Sequence, residues 1–322
     1  MKKTIPETTK IVLIIVHVIL IIAAVLGNSL MFKAFHKFLN LRTASNVILL
    51  SLSAADILIA IACILDIILI ASGDGPSANV LYGLSAWFSF LLISVIILHL
   101  ALISVDRFIA INFSLRYHTI VTNRRALLAS ITVWLWVMVV ILVLPQPLKA
   151  INNDAYKCLR ESLHAFSTTS ECYGRDLPLS TKGYLIFLVA SLLIVPLVII
   201  LYSYGYIFVV SREHRKQIRG QDAVQGISTM KQELRGARTV AIVVGVCLFS
   251  ILPLLVVASL RFFHPLTISQ NGTLGCIKYI VYDVAFGLNA ICNPLIYGWR
   301  NERFRSAFRK LLKCAQKVSE AV

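Results

Sequence analysis

The stretch LYGLSAWFSFLLISVIILHLALISVDRFIAI, residues 81–111, indicates what kind of protein this chain forms. From Leu81 to Val105 it contains no Asp, Glu, Lys or Arg. A helix of about 20 apolar residues crosses the roughly 30 Å hydrocarbon core of a bilayer. The stretch therefore predicts a membrane-spanning helix. It ends at Asp106 and Arg107, an acid and a base side by side where the helix leaves the hydrocarbon.

The composition of the whole chain agrees with a membrane protein. Of 322 residues, 58% are hydrophobic and only 14% are charged, and the mean hydropathy is +0.82. Soluble proteins are about half apolar and about a quarter charged. The net charge of +16 does not indicate nucleic acid, because the basic residues are dispersed between apolar blocks and form no single stripe. The predicted surroundings are a lipid bilayer.

Seven apolar blocks of spanning length follow one another along the chain. They cover about residues 10–34, 44–71, 79–107, 125–147, 183–211, 238–262 and 275–299. The connections after the first, third and fifth blocks, with the C-terminal tail, hold most of the Lys and Arg, so the positive-inside rule places them in the cytoplasm. We expect an all-α membrane protein, a seven-transmembrane helix bundle: an extracellular N-terminus at 1–9, a seven-span domain at 10–299, and a cytoplasmic tail at 300–322.

Two further features bear on this orientation. Asn271 begins an N-glycosylation sequon, Asn271-Gly272-Thr273, in a connection predicted to be extracellular. Lys2 and Lys3 oppose an outside N-terminus and resemble the start of a signal peptide. The apolar block that follows them is too long for the core of a signal peptide, so we expect a first span and not a cleaved leader.

Short motifs occur in each predicted span, in a fixed order. They are Gly27-Asn28, Leu52-Ser53-Ala54-Ala55-Asp56, Asp106-Arg107-Phe108, Trp134, Pro196 with Tyr204, Pro253, and Asn293-Pro294-Leu295-Ile296-Tyr297. In this order the chain resembles the rhodopsin-like (class A) G-protein-coupled receptors over nearly its whole length. The resemblance implies a plasma-membrane receptor that binds an extracellular ligand and activates a heterotrimeric G protein when the cytoplasmic ends of its helices open.

The resemblance also implies an activation switch on the cytoplasmic side. Arg107 would pair with Asp106 and Glu233 when that side is closed, and would meet the G protein and Tyr204 when it opens. The alternatives are a plain interfacial anchor for Arg107 and an ordinary surface acid for Glu233. Phe108, where the family more often has Tyr, lacks only a hydroxyl. The remaining predicted switch residues are Pro253, Asn293, Pro294 and Tyr297.

A buried polar core is predicted between the first, second and seventh spans. Its members are Asn28, Asp56, Asn289 and Asn293. A buried carboxylate needs partners, and these amides can share water or a cation with it. The resemblance implies a sodium site here, but Ile96 and Ala290 lack the oxygens that the family usually supplies, which argues against sodium binding. A hydrated polar patch that only packs the helices is the alternative. We predict no other cofactor and no other metal.

The family ligand pocket lies between the outer halves of the helices. Its candidate residues are Ser89, Phe90, Ile93, Ile251, Asp283 and Gly287. Ser89 stands where an amine receptor has an Asp, and Gly287 stands where a light receptor has a Lys, so both classes are disfavoured. Ile251 replaces the usual Trp. Asp283 is a candidate for binding a cationic ligand, or else a polar group that faces water near a helix end.

Cysteines add two predictions. The usual disulfide from the third span cannot form because its position is Tyr82, so the candidates are Cys158, Cys172 and Cys276, in predicted extracellular segments where oxidation is the default. The pairing stays open. After the seventh span, Phe304, Phe308, Leu311 and Leu312 recur at helical spacing opposite basic residues, which predicts a short amphipathic helix on the inner leaflet. Cys314 follows as a palmitoylation candidate or a free thiol.

Other functions are less consistent with the sequence. A seven-helix transporter or ion-conducting protein could use Asp56, Asp66 and Asp283 as relay groups, but no inverted repeat is visible. An enzyme is not expected, because no HExxH, GxSxG or phosphate-loop motif occurs.

Overall fold

The computed structural model describes residues 7–72, 76–147, 179–218, 241–242, 244–246, 249 and 285–319. Within these ranges the chain is helical, with no β-strand. The helices are α1 (Glu7–Lys37), α2 (Ala44–Ser72), α3 (Pro76–Asn112), α4 (Tyr117–Ile120), α5 (Asn123–Met138), α6 (Leu179–Val189), α7 (Val195–Ile218), α8 (Ala285–Arg300) and α9 (Glu302–Ser319). A short 3₁₀ turn, Leu39–Leu41, joins α1 to α2.

Five helical segments among the described residues are long and apolar enough to cross a membrane. They are Glu7–Lys37, Ala44–Leu65, Trp87–Asn112, Asn123–Val143 and Lys182–Val210, and they match the first five predicted blocks. Most of the predicted sixth block and the first part of the seventh lie outside the described residues. The second part of the seventh block is α8, and the predicted amphipathic helix is α9.

The third span is the central helix of the described bundle. In its most apolar stretch 67% of the residues are buried, against 28% for α1 and for the span that begins with α5. The outer helices instead expose large apolar side chains, for example Leu26 at 66% and Leu201 at 64%. Such surfaces are unfavourable in water and suit contact with lipid tails. Most side chains in this stretch of α3 therefore lie inside the bundle.

A glycine allows α1 and α8 to approach closely. A Cβ placed on Gly27 would lie 2.7 Å from Cγ of Pro294. Small residues at such crossings let the backbones come near each other, which strengthens packing where no hydrophobic effect operates between helices in lipid. The glycine of the first-span motif and the proline of the seventh-span motif thus meet in space.

Widened helical turns precede a proline in two of the spans. A π-helical turn, Val139–Val143, follows α5 and precedes Pro145, and a second one, Ala190–Ile194, joins α6 to α7 and precedes Pro196. The ring of a proline clashes with the carbonyl four residues earlier. Widening the preceding turn to π geometry accommodates the ring while the helix continues.

Helix α9 packs its apolar face on the bundle. Phe304, Ala307 and Leu311 are buried, next to α8 and α1, and basic side chains such as Arg305 are exposed. Asn301 caps the helix, since its Oδ1 accepts from the Arg303 N–H at 3.0 Å. Leu312, predicted on the apolar face, is 61% exposed, because the bundle covers only the side of α9 that carries Phe304.

Candidate functional site

A hydrogen-bonded group occupies the end of α3 that carries Asp106. We call Ser45, Asp106, Arg107 and Tyr117 the Asp106 cluster. Asp106 Oδ2 accepts from Ser45 Oγ at 2.8 Å and from Arg107 Nε at 3.0 Å. Asp106 Oδ1 accepts from the Tyr117 hydroxyl at 2.7 Å. A second Arg107 nitrogen contacts both Asp106 Oδ2, at 2.5 Å, and Ser45 Oγ. Three helices, α2, α3 and α4, therefore meet on one carboxylate.

Burial explains why the Asp106 carboxylate accepts several hydrogen bonds. Asp106 is 4% exposed, and an ionised carboxylate away from water needs charge and hydrogen bonds in compensation. Burial, and next the negative charge of Asp106, raise the pKa of the Tyr117 hydroxyl well above its ordinary value. The phenol therefore stays protonated and remains a donor. Only 13% of the Arg107 side chain is exposed, so this cation also depends on its partner.

Local structure holds Tyr117 in place. It begins α4, a single turn whose last carbonyls, those of Thr119 and Ile120, accept from Arg125 Nη1 at 3.1 and 2.8 Å. Thr122 caps α5 by accepting from the Arg125 N–H at 3.3 Å. Helix α4 is thus attached at one end to Asp106 and at the other end to α5.

Apolar side chains stand exposed beside the cluster. Leu115 is 100% exposed and Phe113 is 50% exposed, both in the turn between α3 and α4. The charged pair Asp106 and Arg107, which precedes this turn, indicates that the turn lies near the membrane surface. Exposed apolar side chains at such a place can contact lipid or a partner protein.

Aromatic residues of α7 lie against the same end of α3. Phe108 packs on Tyr206 with ring centroids 5.0 Å apart, and Tyr206 donates to Asn112 Oδ1 at 2.5 Å. Phe108 therefore faces α7 and takes no part in the Asp106 cluster. Tyr204 packs beside Ile111 and Ile207, which form a small apolar contact between α3 and α7.

The predicted polar core is assembled only in part. Asn293 Nδ2 donates to Asp56 Oδ2 at 2.6 Å. Asn28 does not bind either side chain: its Nδ2 donates to the carbonyls of Ala24 and Ala290, both at 2.9 Å. Asn289 is buried. The amide of Asn28 thus pairs with the backbone of α8, and Asp56 with Asn293 links α2 to α8.

Three buried oxygens of this core can accept further bonds. Asp56 Oδ1, Asn28 Oδ1 and Asn293 Oδ1 have no hydrogen-bond partner among the described residues. Such oxygens suit water molecules or a monovalent cation. Ile96 is buried, and its side chain supplies no oxygen from α3. The hydrated polar core and the cation site therefore both stay predictions.

A second buried network was not predicted from the sequence. His99 is fully buried, and its Nδ1 lies 2.9 Å from the Val95 carbonyl. Because a carbonyl only accepts, Nδ1 carries the hydrogen of this bond. Nε2 lies 2.8 Å from Ser51 Oγ, and Trp134 Nε1 donates to the same Ser51 Oγ at 3.0 Å. The histidine therefore ties α2, α3 and α5 together.

Comparison with known proteins identifies the family. The family model described as "7 transmembrane receptor (rhodopsin family)" matches residues 27–297. The chain belongs to this family. It is therefore an all-α membrane protein with seven transmembrane helices, a multi-pass protein of the plasma membrane, and a member of a family of receptors and not of enzymes.

Individual relatives match along most of the chain. The adenosine receptor A2a of Cavia porcellus is 31% identical over 309 residues, which cover 94% of this chain and 73% of the relative. The adenosine receptor A2b of Gallus gallus is 28% identical over 95% of this chain and 89% of its own length. The octopamine receptor beta-1R of Drosophila melanogaster is 27% identical over 91% of this chain and 60% of its own length.

In this rhodopsin-family receptor several predicted site residues are placed, but their roles stay predictions. Ser89 and Phe90 are half-buried and Ile93 is buried, all on α3 at the end away from Asp106. Pro294 and Tyr297 are buried in α8, where Tyr297 packs on Phe304 with ring centroids 6.1 Å apart. Gly287 and Cys314 lie on α8 and α9. The predicted residues Glu233, Pro253, Ile251, Asp283, Asn271, Cys158, Cys172 and Cys276 lie outside the described residues.

Three members of these networks do not stand out in the sequence. Ser45, Ser51 and Tyr117 are common residue types, and a serine or tyrosine in a membrane helix or short loop carries no distinctive pattern. Tyr117 follows Arg107 in a polar connection, and only the fold of α4 brings its hydroxyl to Asp106. Family membership does not favour the transporter alternative, because the matched relatives are receptors.

Proposed function

We propose that this protein is a G-protein-coupled receptor in which an extracellular ligand favours opening of the cytoplasmic helix ends, and that the opened end activates a heterotrimeric G protein. The observation that carries the proposal is the Asp106 cluster. In it Arg107 is mostly buried and is held by Asp106 and Ser45. The proposal places this end of α3 in the cytoplasm and the N-terminus outside.

The cluster suits a two-state switch because a partly buried cation cannot be left without a partner. In the arrangement described, its partner is Asp106 at 2.5 Å. If helices move apart at this end, Arg107 can leave only when another acceptor replaces the carboxylate. A docking G protein that offers such acceptors binds the open form better than the closed form, and this difference in affinity shifts the population.

Leu115 supplies an apolar contact for the same partner. It is fully exposed in the turn that follows α3, and α4, which follows that turn, is attached to Asp106 through Tyr117. Any partner that reaches Arg107 also meets this turn. Interfaces of this kind combine a central apolar anchor with hydrogen-bonded charges around it. The apolar turn and the buried cation therefore favour a protein partner over a small solute.

The ligand site is proposed at the opposite end of α3, around Ser89, Phe90 and Ile93. The matched relatives are named for adenosine and for octopamine, which differ in chemistry, so they do not define one ligand class for this chain. Ser89 offers a hydroxyl, and Phe90 and Ile93 offer apolar surface. This part of the site suits an uncharged or weakly polar ligand group.

The test measures guanine-nucleotide exchange by heterotrimeric G proteins with the receptor reconstituted in lipid vesicles, with and without compounds from a chemically broad library. We expect exchange above that of empty vesicles, increased by at least one compound and abolished by Arg107→Ala. The control is Arg305→Ala, which removes an exposed cation of α9 and should leave exchange unchanged. Ligand-dependent exchange that survives Arg107→Ala would show that the switch is elsewhere.

Asp substitution at Leu115 tests the proposed docking turn. Leu115→Asp should reduce exchange strongly without changing thermal stability, because the side chain is fully exposed in the receptor alone. Leu39→Asp is the matched control, since Leu39 is 75% exposed in the turn that follows α1. Equal loss from both variants would indicate a general effect of charge near the bilayer and would count against a specific docking turn.

A further inference from the structure

The carbonyl of Val140 has lost both of its possible backbone donors. In an α-helix it would accept from the N–H of residue 144. In the π-helical turn Val139–Val143, the Leu144 N–H donates instead to the Val139 carbonyl at 3.0 Å. A continued π-turn would use the N–H of residue 145, which is a proline and has none. The sequence and the helix geometry together leave this acceptor to be satisfied from elsewhere.

Tyr184 of α6 supplies the missing donor. Its hydroxyl donates to the Val140 carbonyl at 2.8 Å. Val140 is 0% exposed and Tyr184 is 8% exposed. Inside a bilayer no water can replace the hydroxyl, so an unpaired carbonyl is unfavourable at this depth. The hydrogen bond joins the fourth span to the first half of the fifth.

The fifth span is divided just beyond this bond. The π-turn Ala190–Ile194 separates α6, which carries Tyr184, from α7, which carries Tyr204 and packs against α3 near the Asp106 cluster. Turns of this type are rare and are frequently found at functional sites. The span thus consists of a segment attached to α5 and a segment that reaches the proposed switch.

We propose that Tyr184 is a positioning residue that clamps α6, the first half of the fifth span, to the fourth span. The clamp follows from the Val140 carbonyl alone and does not depend on the proposed receptor function. A stability measurement therefore decides it separately from the test of receptor activity.

The clamp is tested by a double-mutant cycle on the thermal stability of the purified full-length protein in lipid nanodiscs. Tyr184→Phe should lower Tm by about 2–4 °C, because it removes one buried hydrogen bond and a loss of about 1 kcal/mol has this effect in a domain of more than about 150 residues. Pro145→Ala restores an N–H that can reach the Val140 carbonyl, so Tyr184→Phe should cost little in that background. Tyr202→Phe makes the same chemical change at a tyrosine that is 66% exposed and should not alter Tm.

An equal loss of Tm on Tyr184→Phe with and without Pro145→Ala would overturn the clamp, because a tyrosine acting only by packing has no reason to depend on residue 145. If Tyr184→Phe alone leaves Tm unchanged, the clamp is also wrong. A loss confined to the background that has the proline supports it, since only the hydrogen-bond account links the two sites.

Discussion

Removing the Tyr117 hydroxyl should activate the receptor without ligand. Tyr117→Phe deletes the donor that lies 2.7 Å from Asp106 Oδ1 and keeps the ring. Hydrogen bonds to charged groups contribute about 1.5–3 kcal/mol. Tyr117 is only half-buried, so water can take over part of this bond, and we expect a net loss of about 1 kcal/mol.

This loss falls mainly on the closed form, because the proposed opening separates α3 from the groups that hold it. A change of about 1 kcal/mol shifts a two-state equilibrium about fivefold. If the open form is a minor population, basal nucleotide exchange should rise by about the same factor. Ser45→Ala removes another donor to Asp106, at 2.8 Å, and should act in the same direction.

The assay is basal guanine-nucleotide exchange in lipid vesicles at matched receptor density, with surface expression and Tm measured in parallel. Tyr202→Phe serves as the control, because Tyr202 packs on Phe108 from α7 and lies outside the Asp106 cluster. Basal exchange that is unchanged or lower in both Tyr117→Phe and Ser45→Ala, with Tm intact, would refute the reasoning that these bonds favour the closed form.

Three further predictions concern stability. Gly27→Ala should lower Tm, because the new Cβ would lie 2.7 Å from Cγ of Pro294 in α8. Overpacking of this kind typically costs about 1–3 kcal/mol. An unchanged Tm would mean that α1 and α8 separate easily. Ser51→Ala leaves His99 Nε2 and Trp134 Nε1 without their common partner and should also lower Tm, whereas Ser51→Thr should retain most of the stability. Burial and the charge of Asp106 raise the pKa of Tyr117 in the folded state above its usual 10.0. The stability that the Tyr117 hydroxyl adds is therefore present below pH 10 and is lost as the pH rises further. The Tm difference between wild type and Tyr117→Phe should shrink above pH 10, and a difference that grows there would contradict the raised pKa.

The spans could be predicted because crossing a bilayer imposes a simple requirement on sequence. About 20 apolar residues in succession, together with the absence of charge, are enough to identify a spanning helix. For this reason the blocks 10–34, 44–71 and 79–107 coincide with α1, α2 and α3 to within several residues. The helices extend further at their ends, where polar residues continue the helix beyond the hydrocarbon.

The polar contacts could be predicted only where a charge stands out. Asp56, Asp106 and Arg107 were recognisable because ionisable groups in or beside a membrane span are costly and need an explanation. Their partners were harder to identify. Asn28 is expected beside Asp56 and instead bonds to the backbone of α8. Nothing in the sequence distinguishes Tyr117 as a partner of Asp106. An amide or a hydroxyl has several acceptors within reach, and side-chain position decides among them.

The sequence by itself determined that this is a helical membrane protein, where its first five spans run, and, through the order of its motifs, the receptor family. Hydrophobic length and charge are sums over neighbouring residues, so they can be calculated without knowing the fold. Only the tertiary structure decided three hydrogen-bonded contacts. Tyr184 donates to the Val140 carbonyl, Ser51 binds both His99 and Trp134, and Tyr117 donates to Asp106. A hydrogen bond depends on the distance between two atoms from distant parts of the chain, and packing of the helices sets that distance.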